Sequence, residues 1–171
     1  SPFKPTTKTE LQTAVNLWIS DNASALSTYG VINSWNVSLI TDMTELFKDK
    51  TTFNDDIGNW DVSNVTTMNS TFKWAHEFNG DISGWDVSSM TDMFAMFYGG
   101  LHDFNADISG WDVSSATNIA YLFSGTHSFN QDISSWDVSN VTNMRYMFMN
   151  TDGFNQDISI WNVSSVTEMV S

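Results

Sequence analysis

From Ile32 onward the chain alternates apolar and polar positions with a fixed long period. The apolar positions read I-x-x-W-x-V-x-x-V-x-x-M-x-x-[ML]-F, followed by a five-residue variable stretch and then F-N-x-D. Trp35, Trp60, Trp85, Trp111, Trp136 and Trp161 mark six units, spaced 25, 25, 26, 25 and 25 residues. The one extra residue falls within "YGGLHD" (Tyr98 to Asp103), where Gly99 and Gly100 make an insertion cheap. Five units are complete, and a sixth stops within its turn at Ser171, which suggests a longer parent protein. Self-similarity at this period is the signature of a repeat architecture, in which one unit cannot bury its apolar face alone and stacked units share a core. The spacing matches the leucine-rich-repeat template, with Val at the usual Asn position. It predicts an α/β solenoid: a right-handed coil with one short parallel strand at each "WDV" and a short helical turn at each "VTNMRYMF". A β-helix with little helix fits the same spacing. The Thr column (Thr41, Thr66, Thr91, Thr117, Thr142, Thr167) is expected to cap the helical turns. Residues 1–31 do not repeat. "TKTE" at Thr7 to Glu10 has the form of a capping box, and Leu11, Ala14, Val15, Trp18 and Ile19 make one helical stripe. The predicted organisation is an N-terminal helical cap over 1–31 and the repeats over 32–171.

Composition narrows the function classes. With 20 acidic and 6 basic side chains the formal charge is −14, a surface that repels nucleic-acid phosphates and anionic lipid. The absence of cysteine removes disulfides and thiolate metal sites. No apolar run approaches the roughly 20 residues that span a bilayer, so no membrane insertion is expected of this segment. No nucleophile, phosphate loop or Ser/His/Asp grouping stands out, and the chain is read as non-enzymatic, with no required cofactor.

The Phe, Ile, Trp, Val and Met columns are assigned to the core. The Asn column (Asn54, Asn79, Asn105, Asn130, Asn155) is expected to bond to turn backbone in neighbouring units. Two acidic columns are more open. One is Asp56, Asp81, Asp107, Asp132 and Asp157; the other is Asp61, Asp86, Asp112 and Asp137, flanked by Asn36 and Asn162. The second lies between the inward Trp and Val and should face outward, with like charges about 4.8 Å apart. Each neighbouring pair would repel by roughly 1 kcal/mol in water. That makes Asp61, Asp86, Asp112 and Asp137 a candidate face for a basic partner, with Ca²⁺ at Asp86 and Asp112. The competing reading is that backbone N–H groups or Ser hydroxyls already satisfy these carboxylates.

The variable stretches "KDKTT", "KWAHE", "YGGLHD", "SGTHS" and "MNTDG" are free of the repeat's demands and are the better place to seek specificity. Trp74, His76, Tyr98, His102 and His127 form the candidate loop surface. His76, His102 and His127 share one column, so they are candidate ligands for Zn²⁺ or Ni²⁺; inheritance by duplication explains the column equally. Asn-x-Ser/Thr acceptors for glycosylation occur at Asn22, Asn36, Asn64, Asn69, Asn140 and Asn162.

The wording "FNQDISSWDVSNVTNM" (Phe129 to Met144) resembles the BspA-type leucine-rich repeat, in the roughly 25-residue form found in mycoplasma and other bacterial surface proteins. The resemblance covers 32–171. It implies a secreted or surface-attached adhesion module with a protein or glycan ligand, and it brings no catalytic residues. Two other functions fit the same repeat. One is a structural unit of a surface layer or filament, self-associating through the solenoid end. The other is ice binding by the aligned Thr and Ser columns.

Overall fold

The computed structural model describes residues 1–170; the final residue of the expected repeat region, Ser171, lies outside them. Two helices open the chain, α1 (Lys8–Ser20) and α2 (Asn22–Tyr29), followed by a short 3-10 turn over Ile32–Ser34. Thr7 caps α1 by accepting the Glu10 N–H at 3.2 Å. The Glu10 carboxylate reaches one residue further back than the capping box predicts, to the Thr6 N–H at 2.6 Å. Leu11, Ala14, Val15 and Trp18 are buried, while Ile19 stays exposed. The sequence suggested one helix where there are two. Asp21 ends α1 in a non-helical conformation (φ −149°, ψ 83°) and its side chain caps α2 by accepting the Ser24 N–H. Both helices join the core through the first repeat: Trp18 of α1 and Tyr29 of α2 each meet Trp35 edge-on at 5.8 Å, and Gln12 of α1 donates to the Leu46 carbonyl at 3.0 Å.

The expected α/β leucine-rich-repeat fold is overturned. Among the described residues no strand forms, and there is no helix after the 3-10 turn. The β-helix alternative falls with it, since it too needs strands. What joins the repeats is a chain of single parallel bridges: Asp42 to Thr67, Thr67 to Asp92, Asp92 to Asn118, Asn118 to Asn143 and Asn143 to Glu168. These lie seven residues after each Trp, not at "WDV".

The reason is local. Each apolar pair spaced by three closes a turn through a backbone bond. Trp60 N–H donates to the Ile57 carbonyl at 3.1 Å, and Val65 N–H to the Val62 carbonyl at 2.9 Å. The same bonds recur at Trp85, Trp111, Trp136 and Trp161. The first and last residues of each turn face inward and the central two face water. This satisfies the apolar spacing without the extended backbone of a strand.

The expected helical turn is replaced by an alternation. In repeat two, the N–H groups of Met68, Ser70, Phe72 and Trp74 donate to the next repeat, at Asp92, Phe94, Met96 and Tyr98. Those of Thr71, Lys73 and Ala75 turn back within their own repeat. A helix cannot run through this stretch, because two residues per repeat have left-handed backbone. One column holds Glu45, Ser70, Ala95, Tyr121 and Tyr146 (φ 52–58°). The other holds Asp49, Trp74 and Asn150 (φ 56–61°), with Gly99 and Gly125 (φ 86° and 75°) in the remaining repeats. The Thr column does not cap helices either: Thr66, Thr91, Thr117, Thr142 and Thr167 each donate from N–H and hydroxyl to the preceding Thr carbonyl.

The core is a set of parallel ladders. Phe47, Phe72, Phe97 and Phe123 stack at 5.3–5.9 Å between centroids. A second ladder, Phe53, Phe78, Phe104 and Phe129, stacks at 5.9–6.1 Å. The two touch within each repeat at 3.9–4.2 Å. Beside them every repeat Trp is buried; from Trp60 onward its indole N–H donates to a carbonyl one repeat back, as Trp111 does to Ile82 at 3.1 Å, while that of Trp35 donates to Gly30. At the sixth repeat an apolar hollow of about 400 Å³ is lined by Met147, Phe148, Trp161, Met169 and neighbours.

Candidate functional site

The sequence-derived candidates separate sharply once their contacts are known. Asp61, Asp86, Asp112 and Asp137 are all exposed, but each carboxylate closes a turn. Asp86 accepts the Ser88 N–H at 3.0 Å and the Ser88 hydroxyl at 2.6 Å. Asp61 and Asp112 repeat this with Ser63 and Ser114, and Asp137 accepts the Ser139 N–H. The other acidic column does the same, with Asp81 on Ser83 and Asp107 on Ser109. These Asx turns are what curls "WDVS" out of a strand. A polar hollow of about 490 Å³ runs beside Asp56 and Asp81, whose carboxylates are engaged in these bonds.

Electrostatics agrees. The Ser hydroxyl, and then the Ser N–H, hold the carboxyls of Asp81, Asp86 and Asp107 below the usual carboxylate range. For Asp107 the opposing push from the Asp81 charge is the smallest contribution. In the candidate column itself the Ser hydroxyl and then the Ser N–H lower Asp86 and Asp137, with no neighbouring charge among the causes, so these two carboxylates give the charge-strain argument for a calcium or basic-partner face no support. Among the described residues no group of three or more His, Asp or Glu is placed to hold a metal ion, at Asp86 and Asp112 or elsewhere.

A carboxylate with a depressed folded-state pKa contributes stability above its ordinary pKa of about 3.9, and loses it as pH falls through the folded value. Melting temperature should hold from neutral pH to about 5 and fall below about 4. The variant Asp86→Asn/Asp112→Asn should melt near the native temperature at pH 7, because Asn36 already closes the same turn onto Ser38. Asp86→Ala/Asp112→Ala should melt lower. Thermal denaturation at pH 7 and pH 3 checks both; an Asn variant as damaged as the Ala variant would contradict the turn assignment.

His76, His102 and His127 do come together, as a surface stack rather than a chelate. Their rings lie 5.8 Å apart, tilted by 44° in the first pair and by 5° in the second. Imidazole lone pairs lie in the ring plane, so stacked rings do not aim them at one point. His127 Nδ1 instead lies 3.4 Å from Asp152. The Zn²⁺ or Ni²⁺ reading thus loses its geometry. The Asn column forms a ladder: the N–H of Asn79, Asn105, Asn130 and Asn155 each donates to the Asn side-chain oxygen one repeat back, at 2.8–3.1 Å.

Trp74 and Tyr98 belong to something larger. The left-handed stretch exposes side chains that vary between repeats, and there the aromatic residues gather. Trp74 and Tyr98 lie 6.2 Å apart, Tyr98 and Tyr121 5.8 Å, and Tyr121 and Tyr146 5.1 Å. Phe94 meets Tyr121 edge-on at 5.6 Å. The strip crosses repeats two to five. Lys73 sits over the rings of Trp74 and Tyr98 at 4.7 and 5.0 Å, and Arg145 over Tyr146 at 5.8 Å. Trp74 is 40% exposed. Its indole lies on Gly99, where a Cβ would collide with the ring. Gly99 thus serves both its own left-handed backbone and the seat of Trp74.

Lys73, Phe94, Tyr121, Arg145 and Tyr146 are absent from the sequence-derived site. The signal was available in part: Phe94 is a large aromatic in a column with Thr44, Asn69, Ala120 and Arg145, and Tyr121 and Tyr146 in one with Glu45, Ser70 and Ala95. Their meeting on one face depends on the left-handed backbone, which the apolar spacing does not encode.

No curated protein and no solved structure matches the chain. Residues 18–102 and 98–171 match one family in two successive copies, and their junction falls within the variable stretch after Tyr98. Taken with the repeat wording that fills both copies, this match places the chain in the family described as "Mycoplasma protein of unknown function, DUF285".

Proposed function

We propose that the protein is a non-catalytic binding module, displayed outside the cell or on its surface, and that the aromatic strip is its ligand face. The observation that carries this is the continuity of Trp74, Tyr98, Tyr121 and Tyr146 across four repeats on a rigid core. Aromatic side chains half in water cost burial free energy that a partner recovers, and they lose little conformational freedom on binding. Surface display is supported by the resemblance to BspA-type repeats and by the acidic composition. Ice binding is disfavoured, because the Thr hydroxyls donate to backbone carbonyls instead of pointing a free ladder at solvent.

The test is a defined panel of purified glycans and matrix proteins, read by surface plasmon resonance. Wild type is compared with Trp74→Ala/Tyr98→Ala/Tyr121→Ala and with Asp86→Asn/Asp112→Asn. Panel members that bind should weaken by at least about tenfold in the aromatic variant, since single anchors of this kind carry more than about 1 kcal/mol. The Asp variant should bind as wild type does. The reverse ranking would return the ligand face to the acidic column.

A further inference from the structure

Within the aromatic strip the repeats differ so as to make a cleft. Ala95 forms its floor, at a left-handed position where the next two repeats carry Tyr121 and Tyr146 (φ 52°, 58° and 52°). Phe94 and Tyr98 of the same repeat form two walls, Tyr121 of the next repeat a third, and Lys73 of the previous repeat the fourth. The hollow is shallow and open to solvent on its outer side, with a volume of about 260 Å³. Ligand pockets generally run from roughly 300 to 1,000 Å³, so this one suits a single ring and not an extended chain. The rings are not coplanar: Tyr98 and Tyr121 cross at 88°, Phe94 and Tyr121 at 65°. They offer a small body a creased seat instead of a flat bed.

The charge of the cleft is the discriminating feature. Of the ion pairs among the described residues, none uses Lys73. Its ammonium, with three donors, is held over two ring faces in a protein of net charge −14. A locally placed cation in a broadly negative field favours a ligand with one negative charge. A polyanion would bring further charges within the roughly 8–10 Å over which the acidic surface acts. The rings suit an occupant whose faces carry C–H groups, which meet the negative aromatic faces, and Tyr98 and Tyr121 add hydroxyls.

We infer that the cleft of Lys73, Phe94, Ala95, Tyr98 and Tyr121 binds one pyranose ring bearing a single carboxylate, a uronate-type sugar. The carboxylate pairs with Lys73 and the ring lies among the three aromatics. This rests on the reading of the aromatic strip as the ligand face.

The probe is methyl β-D-glucuronide, compared with neutral methyl β-D-glucoside and with heparin as a polyanion, by saturation-transfer NMR and calorimetry. Wild type should bind the glucuronide in preference to both. Lys73→Gln should weaken it by about tenfold or more, to the level of the glucoside, since a hydrogen bond to a charged group is worth that much. Ala95→Tyr should abolish sugar binding by filling the cleft with the residue that the neighbouring repeats accept at the same backbone position. Should Ala95→Tyr melt early, Lys73→Gln alone decides. Equal binding of glucuronide and glucoside, no glucuronide binding, or binding unchanged in Lys73→Gln overturns the inference. If panel ligands are still lost in the Trp74/Tyr98/Tyr121 variant, only the ligand class falls; if they are kept, the ligand face falls with it.

Discussion

Replacing Trp111 by Ala should lower the melting temperature by roughly 10–25 °C, with repeats on both sides weakened together. Trp111 is 4% exposed and sits in the fourth of six repeats, between Trp85 and Trp136. Phe97 of the previous repeat packs against its ring at 6.3 Å. Removing a buried Trp or Phe costs about 3–5 kcal/mol through lost burial and the cavity left behind. Truncation also removes one of the two hydrogen bonds to the Ile82 carbonyl, which accepts the Trp111 indole N–H at 3.1 Å and keeps the Trp85 N–H; a lost hydrogen bond adds about 0.5–1.5 kcal/mol. For a chain of this length each kcal/mol moves the midpoint by roughly 2–4 °C. Because each repeat is stabilised by its neighbours, a defect in the middle weakens both interfaces at once. Trp111→Phe should recover most of the packing term and none of the hydrogen bond, so it should fall between. A melting temperature unchanged in Trp111→Ala would show that the Trp column is not the core.

The second expected result is a sign. Ser70→Gly should stabilise the protein, or leave it unchanged, and Ser70→Val should destabilise it by about 2 kcal/mol or more relative to Gly. Ser70 is buried at φ 56°, with its N–H donating to the Phe94 carbonyl at 2.8 Å. A left-handed backbone costs an L-residue with a Cβ about 1–2 kcal/mol, and Gly escapes that cost. A β-branched side chain raises it further. Against the gain stand the loss of the Ser70 hydroxyl bond to Asn69 and the greater freedom of Gly in the unfolded chain. If this stretch were the helical turn that the apolar spacing suggests, Gly would be the worse residue, by roughly 0.5–1 kcal/mol relative to Ala. Chemical denaturation of the two variants therefore discriminates between helix and left-handed turn: clear destabilisation by Gly with tolerance of Val would reinstate the helix.

The chain alone discloses the repeat and its core. The period of 25, the one insertion after Tyr98, and the inward Phe, Ile, Trp, Val and Met columns are legible because burial imposes a residue type at every unit. The Asn ladder was legible for a related reason, since an amide beside each corner has few other partners. Thr7 and the Leu11, Ala14, Val15, Trp18 stripe announced a helix from local rules. The course of the backbone between the core positions was decided in three dimensions. An apolar pair at i and i+3 suits a helical turn, a leucine-rich-repeat bend or a β-turn equally. The choice falls on the turn because N–H groups at alternate residues find carbonyls 24 or 25 positions away, in the next repeat. Those bonds hold Ser70, Ala95, Tyr121 and Tyr146 left-handed, and that backbone brings Lys73, Phe94, Tyr98 and Tyr121 around one cleft. No spacing within a single repeat carries this information, because the site is made from differences between repeats and appears only once they are stacked.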